Sequence, residues 1–155
     1  MNVVIRRTLP DDLTVIEAIY RDSIRHLGPS VYSPAQVAAW AHFADDAVAF
    51  CAWIATATTF VAVGAGGPIG FGGLQSGGRI ASLFVAPAAM RQGVASRLLE
   101  HLLDEARSRG FRDVTAHASE FSRSLFVRYG FSVAVVEHTV VSGVEFSRYA
   151  MRAEI

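Results

Sequence analysis

Residues 83–99 read LFVAPAAMRQGVASRLL, and this stretch decides the fold class. It opens on an apolar run of the kind found in buried central strands, and Pro87 ends that strand. Apolar positions from Ala95 to Ala106 then step by three and one, which predicts a helix from Arg91 to Gly110. A buried strand that leads into a long amphipathic helix is typical of a sheet covered by helices.

Further strands and helices are predicted on both sides of this stretch. Upstream, we expect strands at 3–7, 58–63 and 69–74 and helices at 10–25 and 45–55. Between these helices, Ser33 with Gln36 three residues later predicts the cap of a short helix that begins at Pro34 and includes Trp40. Downstream, we expect a strand at 114–118, a helix at 122–129 and a hairpin formed by 131–141 and 144–151. This order predicts an α/β fold of the α+β type, with one domain over residues 1–155, a mixed sheet and helices on both faces.

Composition excludes several classes of protein. With 52% hydrophobic and 18% charged residues, the chain is too apolar to be disordered. It has no apolar run of the ~18 residues that a membrane span needs and no signal peptide, so we expect a cytoplasmic protein. A net charge of zero argues against a nucleic-acid or membrane partner. All 14 basic residues are Arg, which excludes a Schiff-base lysine, and the single Cys51 is expected to be buried.

The start of the predicted long helix could hold an anion. Small residues at Gly93, Ala95 and Ser96 would let a phosphate approach the unpaired backbone N–H groups, and Arg91 adds positive charge. The alternative is an ordinary strand-to-helix turn with a glycine that serves packing. Neither G-x-x-x-x-G-K-[ST] nor a helix-opening G-x-G-x-x-G occurs, so a P-loop nucleotide and a Rossmann dinucleotide are excluded.

The same stretch resembles the cofactor loop of the GNAT superfamily of acyl-CoA N-acyltransferases. The matching positions are Val85, Pro87, Met90, Gly93, Val94, Ala95, Leu98 and Leu99. The resemblance continues through EARSRG at 105–110 and SEFSRSLFVRYGF at 119–131. YSPAQVAAW at 32–40, with Ala118 and Ser119, further resembles a bacterial subgroup of that superfamily.

This resemblance implies a twisted, mostly antiparallel sheet, splayed at its centre between the strands that end at Val85 and Ala118. Acetyl-CoA would lie in the splay and bind the backbone of Leu83, Phe84 and Val85. Its pyrophosphate would lie on the loop formed by Met90, Arg91, Gln92, Gly93, Val94, Ala95 and Ser96. Ser119 and Phe126 would flank the cofactor.

The sequence departs from the superfamily pattern at three of these positions. Met90 replaces the usual Gln or Arg, and Ser119 replaces a frequent asparagine. Phe126 stands where many relatives carry a tyrosine that acts as the acid. Tyr129, three residues further along, is expected in the core.

Four residues are candidates for the general base. His117 and Glu120 lie at the end of a strand beside the cofactor, whereas His26 and Tyr32 belong to the segment that covers the acceptor side in the superfamily. A purely structural role for His117 stays open, because alternate strand residues point to opposite faces. The chain has no H-E-x-x-H or similar cluster, so no metal is predicted.

The sequence therefore predicts an N-acetyltransferase that passes an acetyl group from acetyl-CoA to a primary amine of a small molecule or peptide. We expect direct attack in a ternary complex, because Cys51 lies far from the motif. The alternative is a non-catalytic acyl-CoA-binding sensor, and a nucleic-acid-binding domain is a weaker third reading. The apolar strand at 131–141 could pair with a second copy to form a homodimer.

Overall fold

The computed structural model describes residues 2–155. Seven strands form one sheet in the order β1-β2-β3-β4-β5-β7-β6. The strands are β1 (Val4–Arg7), β2 (Thr58–Gly64), β3 (Gly67–Leu74), β4 (Arg79–Val85), β5 (Asp113–Ala118), β6 (Ser132–Val141) and β7 (Val144–Glu154). Every neighbouring pair is antiparallel except β4 and β5, which run parallel.

Five α-helices connect and cover the strands. They are α1 (Leu13–Leu27), α2 (Pro34–His42), α3 (Ala47–Ala55), α4 (Val94–Ser108) and α5 (Arg123–Arg128). Short 3-10 turns occupy Pro10–Asp12, Gly28–Ser30, Phe43–Asp45 and Pro87–Ala89. The predicted fold class is confirmed, and each predicted strand and helix is present.

The helices divide between the two faces of the sheet. Phe71 of β3 packs in one apolar cluster with residues of α1 and α3, including Ile16 and Phe50. Leu74 of the same strand packs on the opposite face with α4 and α5, where Leu99 is fully buried. A bulge in the β3–β4 ladder lies just before Leu74. The sheet is thus the middle of three layers.

The beginning of α2 has the predicted cap. The Ser33 hydroxyl accepts a hydrogen bond from the Gln36 N–H at 3.1 Å, and the Gln36 side chain accepts from the Ser33 N–H at 2.9 Å. This reciprocal pair satisfies two N–H groups that a helix end leaves free. It fixes the direction in which α2 leaves the preceding loop.

The prediction that Cys51 is buried is wrong, because its thiol is exposed. On α3, Phe50 and Ile54 are four residues apart and form the buried stripe of the helix. Cys51 follows Phe50 by one position and therefore points away from that stripe.

β6 lies at one edge of the sheet, as the sequence indicated. Four of its valines are exposed: Val133, Val135, Val136 and Val140. Pairing of this edge with a second copy stays a prediction. Within residues 2–155, no single helix is long and apolar enough to cross a membrane; Pro34–Asp45 and Ala47–Ala55, bent by 79°, satisfy that criterion together by length and composition alone.

Candidate active site

The site begins where β4 and β5 separate. Only two residue pairs join these parallel strands, Arg79 with Thr115 and Ile80 with Ala116. Beyond Ile80 the strands diverge and open the centre of the sheet. A cavity of about 290 Å³ lies at this opening, lined by residues of both strands and of the surrounding helices. The splay that the resemblance implied is therefore present.

One edge of β4 faces this opening without a partner strand. The Ala86 N–H donates to the carbonyl of Ile69 at 2.8 Å, so the backbone of residue 86 faces β3. Backbone groups alternate sides along a strand, so those of Phe84 also face β3, whereas those of Leu83 and Val85 face the gap. The Phe84 backbone is thus turned toward β3, and its expected contact with the cofactor stays a prediction. The Phe84 ring lines the cavity.

A β-bulge accompanies the separation of the two strands. Gly73 pairs with Ser82 and Leu74 pairs with Ile80, so Ala81 is an extra residue on β4. A bulge bends its strand and increases the local twist. β4 bends at the residue that follows its last pair with β5.

The loop before α4 uses two left-handed residues. Arg91 has φ 62° and Gly93 has φ 80°, so the helix begins at Val94 and not at Arg91 as predicted. The first hydrogen bond of the helix runs from the Arg97 N–H to the Gly93 carbonyl at 3.1 Å. A helix start of this kind leaves the N–H groups of its first turn without intrahelical partners, here those of Val94, Ala95 and Ser96.

The side chains of this loop differ in what they can offer an anion. Arg91 is exposed and Met90 is partly buried. The Gln92 amide donates to the Ala88 carbonyl at 3.1 Å, so it is committed to the loop itself. No atom lies within 4 Å of the position a Cβ would take on Gly93, which leaves open space above the loop. The loop fits a pyrophosphate through its backbone and Arg91.

One side of the cavity is walled by aromatic rings. The Trp40 and Phe121 rings stack at 5.5 Å, and the Tyr32 ring lies 5.6 Å from Trp40. Besides Phe126, seven aromatic residues line the cavity: Tyr20, Tyr32, Trp40, Trp53, Phe84, Phe121 and Phe146. Tyr32 and Trp40 come from the N-terminal segment expected to cover the acceptor, whereas His26 is exposed and is not part of the lining. The structure therefore does not bring His26 to the site.

Four charged or titratable side chains meet at the other end of this face. Arg79 donates a hydrogen bond to Nδ1 of His117, and Nε2 of His117 lies 3.4 Å from the Glu137 carboxylate. Arg148 donates from Nε to the same carboxylate at 3.0 Å. Arg79, His117 and Arg148 line the cavity. Burial, followed by the charges of Arg79 and Arg148, lowers the pKa of His117 below its ordinary value, and Glu137 opposes them.

The remaining base candidates are placed less favourably. Glu120 is exposed, accepts a hydrogen bond from the Tyr149 hydroxyl and does not line the cavity. Its backbone N–H donates to the Tyr32 hydroxyl oxygen at 3.1 Å. Burial raises the pKa of Tyr32, so its neutral form is favoured and it is a poor base at neutral pH. His117 is the best placed of the four.

The predicted acid position is occupied by a buried ring. Phe126 is 3% exposed, lines the cavity, and lies 5.1 Å from the Phe131 ring. Two hydroxyls, those of Ser119 and Ser122, line the cavity near it and lie 2.9 Å apart. Tyr129 packs against the core cluster that includes Phe126, as expected, but it is only partly buried, and its hydroxyl donates to Glu100 of α4 at 2.6 Å.

Comparison with known proteins identifies the family. The sequence profile of the acetyltransferase (GNAT) domain matches residues 29–153. The chain belongs to the GNAT acetyltransferase family. YafP of Escherichia coli (strain K12), described as an uncharacterized N-acetyltransferase, is 30% identical over 151 residues, which cover 97% of this chain and 95% of YafP.

Solved GNAT structures share the fold. A GCN5-related N-acetyltransferase from Rhodopseudomonas palustris is 29% identical to this chain. The match covers 100% of this chain and 97% of that protein, with a TM-score of 0.96. The PaiA N-acetyltransferase of Thermoplasma acidophilum, solved in complex with coenzyme A, is 17% identical, covers all of both chains and has a TM-score of 0.81. The predicted GNAT resemblance is confirmed. The subgroup indicated by residues 32–40 stays a prediction.

Proposed function

We propose that this chain transfers the acetyl group of acetyl-CoA to a primary amine of a small molecule or peptide by direct attack in a ternary complex. The observation that carries the proposal is the unpaired edge of β4 at the gap, with His117 on the far strand lining the same cavity. Membership of an acetyltransferase family supports the reaction class. The bound coenzyme A in PaiA, a protein of the same fold, supports the cosubstrate.

The two parts of the acyl-CoA site would hold different groups. The outward backbone groups of Leu83 and Val85 suit the amide-rich pantetheine arm, because they can add it to the sheet as a short strand. The first turn of α4, with Gly93 and Arg91, suits the pyrophosphate. Phe126 would pack against the arm, close to the Ser119 and Ser122 hydroxyls.

The acetyl carbonyl would lie where β4 leaves β5. A backbone N–H of the free β4 edge could then stabilise the negative charge that develops on the carbonyl oxygen. The amine nitrogen attacks the thioester carbon, the C–S bond breaks, and the sulfur leaves as a thiolate. Cys51 takes no part, since it is exposed and outside the cavity lining.

His117 would accept the proton that the amine must lose. Its lowered pKa keeps the ring neutral at neutral pH, which a general base requires. The thiolate needs less help, because a thiol with a pKa of ~8.5 is a fair leaving group. It can take its proton from water or accept a hydrogen bond from the Ser119 and Ser122 pair.

Release of free thiol from acetyl-CoA tests this function. We expect thiol release that depends on both acetyl-CoA and an added amine, and an equal amount of acetylated amine by mass spectrometry. Phe126 favours a second function, that of a non-catalytic acyl-CoA sensor, because its ring cannot donate a proton. A sensor would bind acetyl-CoA in calorimetry and release no thiol with any amine, and that result would overturn the proposal. We keep the cytoplasm as the predicted location.

A further inference from the structure

Arg79 is a cavity-lining cation without an acidic partner. No carboxylate of residues 2–155 lies within 4 Å of its guanidinium, whereas Arg6, Arg21, Arg107, Arg109, Arg148 and Arg152 each have one. Its side-chain contact is with the neutral ring of His117. Although Arg79 is exposed, partial desolvation, followed by the charge of Arg148, lowers its pKa, and Glu137 opposes them, so its charge is only partly compensated.

The charges around Arg79 do not cancel. Four strands contribute one member each to this cluster: Arg79 of β4, His117 of β5, Glu137 of β6 and Arg148 of β7. The N-terminal helices contribute neutral aromatic side chains to the same cavity. Glu137 already accepts from Arg148 at 3.0 Å and lies 3.4 Å from His117. Two arginines thus share one carboxylate, and the cavity keeps one uncompensated positive charge.

We propose that the amine acceptor carries an anionic group of the carboxylate class, and that Arg79 binds this group. This inference rests on the proposed acetyl transfer and names the class of its acceptor. A guanidinium binds a carboxylate through two parallel N–H bonds. The aromatic wall would hold the apolar part of the same molecule.

Binding of the anion would also release His117 for catalysis. In the structure Arg79 donates to Nδ1, so the ring proton lies on Nε2 and faces Glu137. Neither ring nitrogen is then free to take a proton from the amine. A carboxylate that draws Arg79 away leaves Nδ1 free, and the amine proton moves to it. Glu137 stabilises the imidazolium that forms.

Matched pairs of acceptors test this assignment. We would compare para-(aminomethyl)benzoate and a series of straight-chain ω-amino acids with the corresponding carboxamides. In each compound the amine is separated from the carboxylate or carboxamide, so that only this group differs within a pair. The expected result is a kcat/KM at least about ten-fold higher for the carboxylate in the best pair. Arg79→Met should reduce that ratio to near one. Arg152→Met is the control, because Arg152 pairs with Asp113 at 2.7 Å and does not line the cavity.

Nitrogen NMR of the His117 ring gives a readout that does not need turnover. With coenzyme A present, para-(aminomethyl)benzoate should shift the Nδ1 signal as the hydrogen bond from Arg79 is lost, and its carboxamide should not. Equal kcat/KM values across all pairs, or a preference that survives Arg79→Met, would overturn the inference while leaving acetyl transfer intact. If no amine is acetylated, the proposed function fails, and an unchanged Nδ1 signal then overturns the anion site as well.

Discussion

The Nε2 atom of His117 lies 3.4 Å from the carboxylate of Glu137. A carboxylate can only accept, so Nε2 keeps the ring proton, and Nδ1, which accepts a hydrogen bond from Arg79, can gain a proton once Arg79 releases it. Burial and the two nearby arginines lower the pKa of the ring from its ordinary value of about 6.5. The ring is therefore mostly neutral at neutral pH.

Replacing His117 by Gln should lower kcat by about 100-fold, because general-base assistance is typically of that size or larger. In the wild type, the acidic limb of the kcat/KM profile should have its midpoint below about pH 6.5, because the pKa of His117 is lowered from that value. The variant should lose that limb. Glu120→Gln is the matched control and should keep it. An acidic limb that persists in His117→Gln would assign the base elsewhere.

Gly93→Asp should abolish measurable coenzyme A binding, because it places a negative charge where the pyrophosphate should lie. Gly110→Asp is the control at the other end of α4. Both glycines have a positive φ, 80° and 82°, and neither has an atom within 4 Å of an added Cβ, so the backbone strain is similar. Calorimetry would measure the affinity of both variants for coenzyme A after circular dichroism has shown that they are folded. A Gly93→Asp affinity within a few-fold of the wild-type value would contradict the loop assignment.

Tyr129→Phe should leave the basic limb of the rate profile unchanged. The Tyr129 hydroxyl donates to Glu100 on α4 at 2.6 Å, and Tyr129 does not line the cavity. It is thus unsuited to protonate the leaving thiolate. Profiles of wild type and variant measured side by side should superimpose above neutral pH. Loss of the limb in the variant would show that this tyrosine replaces the acid absent at Phe126.

The long helix and the strand before it could be predicted because their signals are local. The apolar spacing of α4 appears within one short window, and so does the capping pair of Ser33 and Gln36. The first turn of α4 was predicted too early, because nothing in the spacing reveals the left-handed backbone of Arg91 and Gly93. Such conformations depend on how the loop is held by its surroundings.

The charged cluster at the cavity could not be predicted in the same way. Arg79 lies on β4, far in sequence from Glu137 and Arg148 of the final hairpin, and the sheet order brings them together. One signal was available. Arg148 and Glu137 are polar residues placed opposite each other in the final hairpin, which pairs them directly. The hairpin was predicted, but which face of it meets His117 depends on the antiparallel β5–β7 pairing.

Gly70→Ala should destabilise the fold by about 1–3 kcal/mol, the usual cost of overpacking. An added Cβ would lie 3.0 Å from the Phe84 carbonyl oxygen and 3.1 Å from Leu98 of α4, so the helix or the strand must shift. Urea unfolding would measure the loss. Gly66→Ala, in the turn before β3, meets no atom within 4 Å and should change stability little. Equal stabilities of the two variants would contradict this close packing of α4.

Asp12→Asn should destabilise the protein by about 2 kcal/mol at neutral pH, because charged hydrogen bonds are worth about that much. Asp12 is 6% exposed and accepts from Arg6 at 2.7 and 3.0 Å and from the Leu9 N–H at 2.7 Å. These bonds, that from Arg6 first, lower the pKa of Asp12.

The contribution of Asp12 is fully present above its unfolded pKa of about 3.9 and is lost as pH falls through the lower folded value. The difference between wild type and Asp12→Asn in urea unfolding should therefore shrink in acid. Asp11→Asn is the control, because Asp11 is exposed and next in sequence. A difference that stays constant down to strongly acidic pH would contradict the ion-pair account.

The two residue pairs that join β4 to β5 form a short ladder between two halves of the sheet. Strands β1 to β4 form one half of the sheet and β5 to β7 the other, each held together by antiparallel ladders. The chain passes from the first half to the second once, through α4 and the residues that follow it. A ligand that hydrogen-bonds along the free edge of β4 would therefore fill the gap between the two halves, and its binding would complete the sheet.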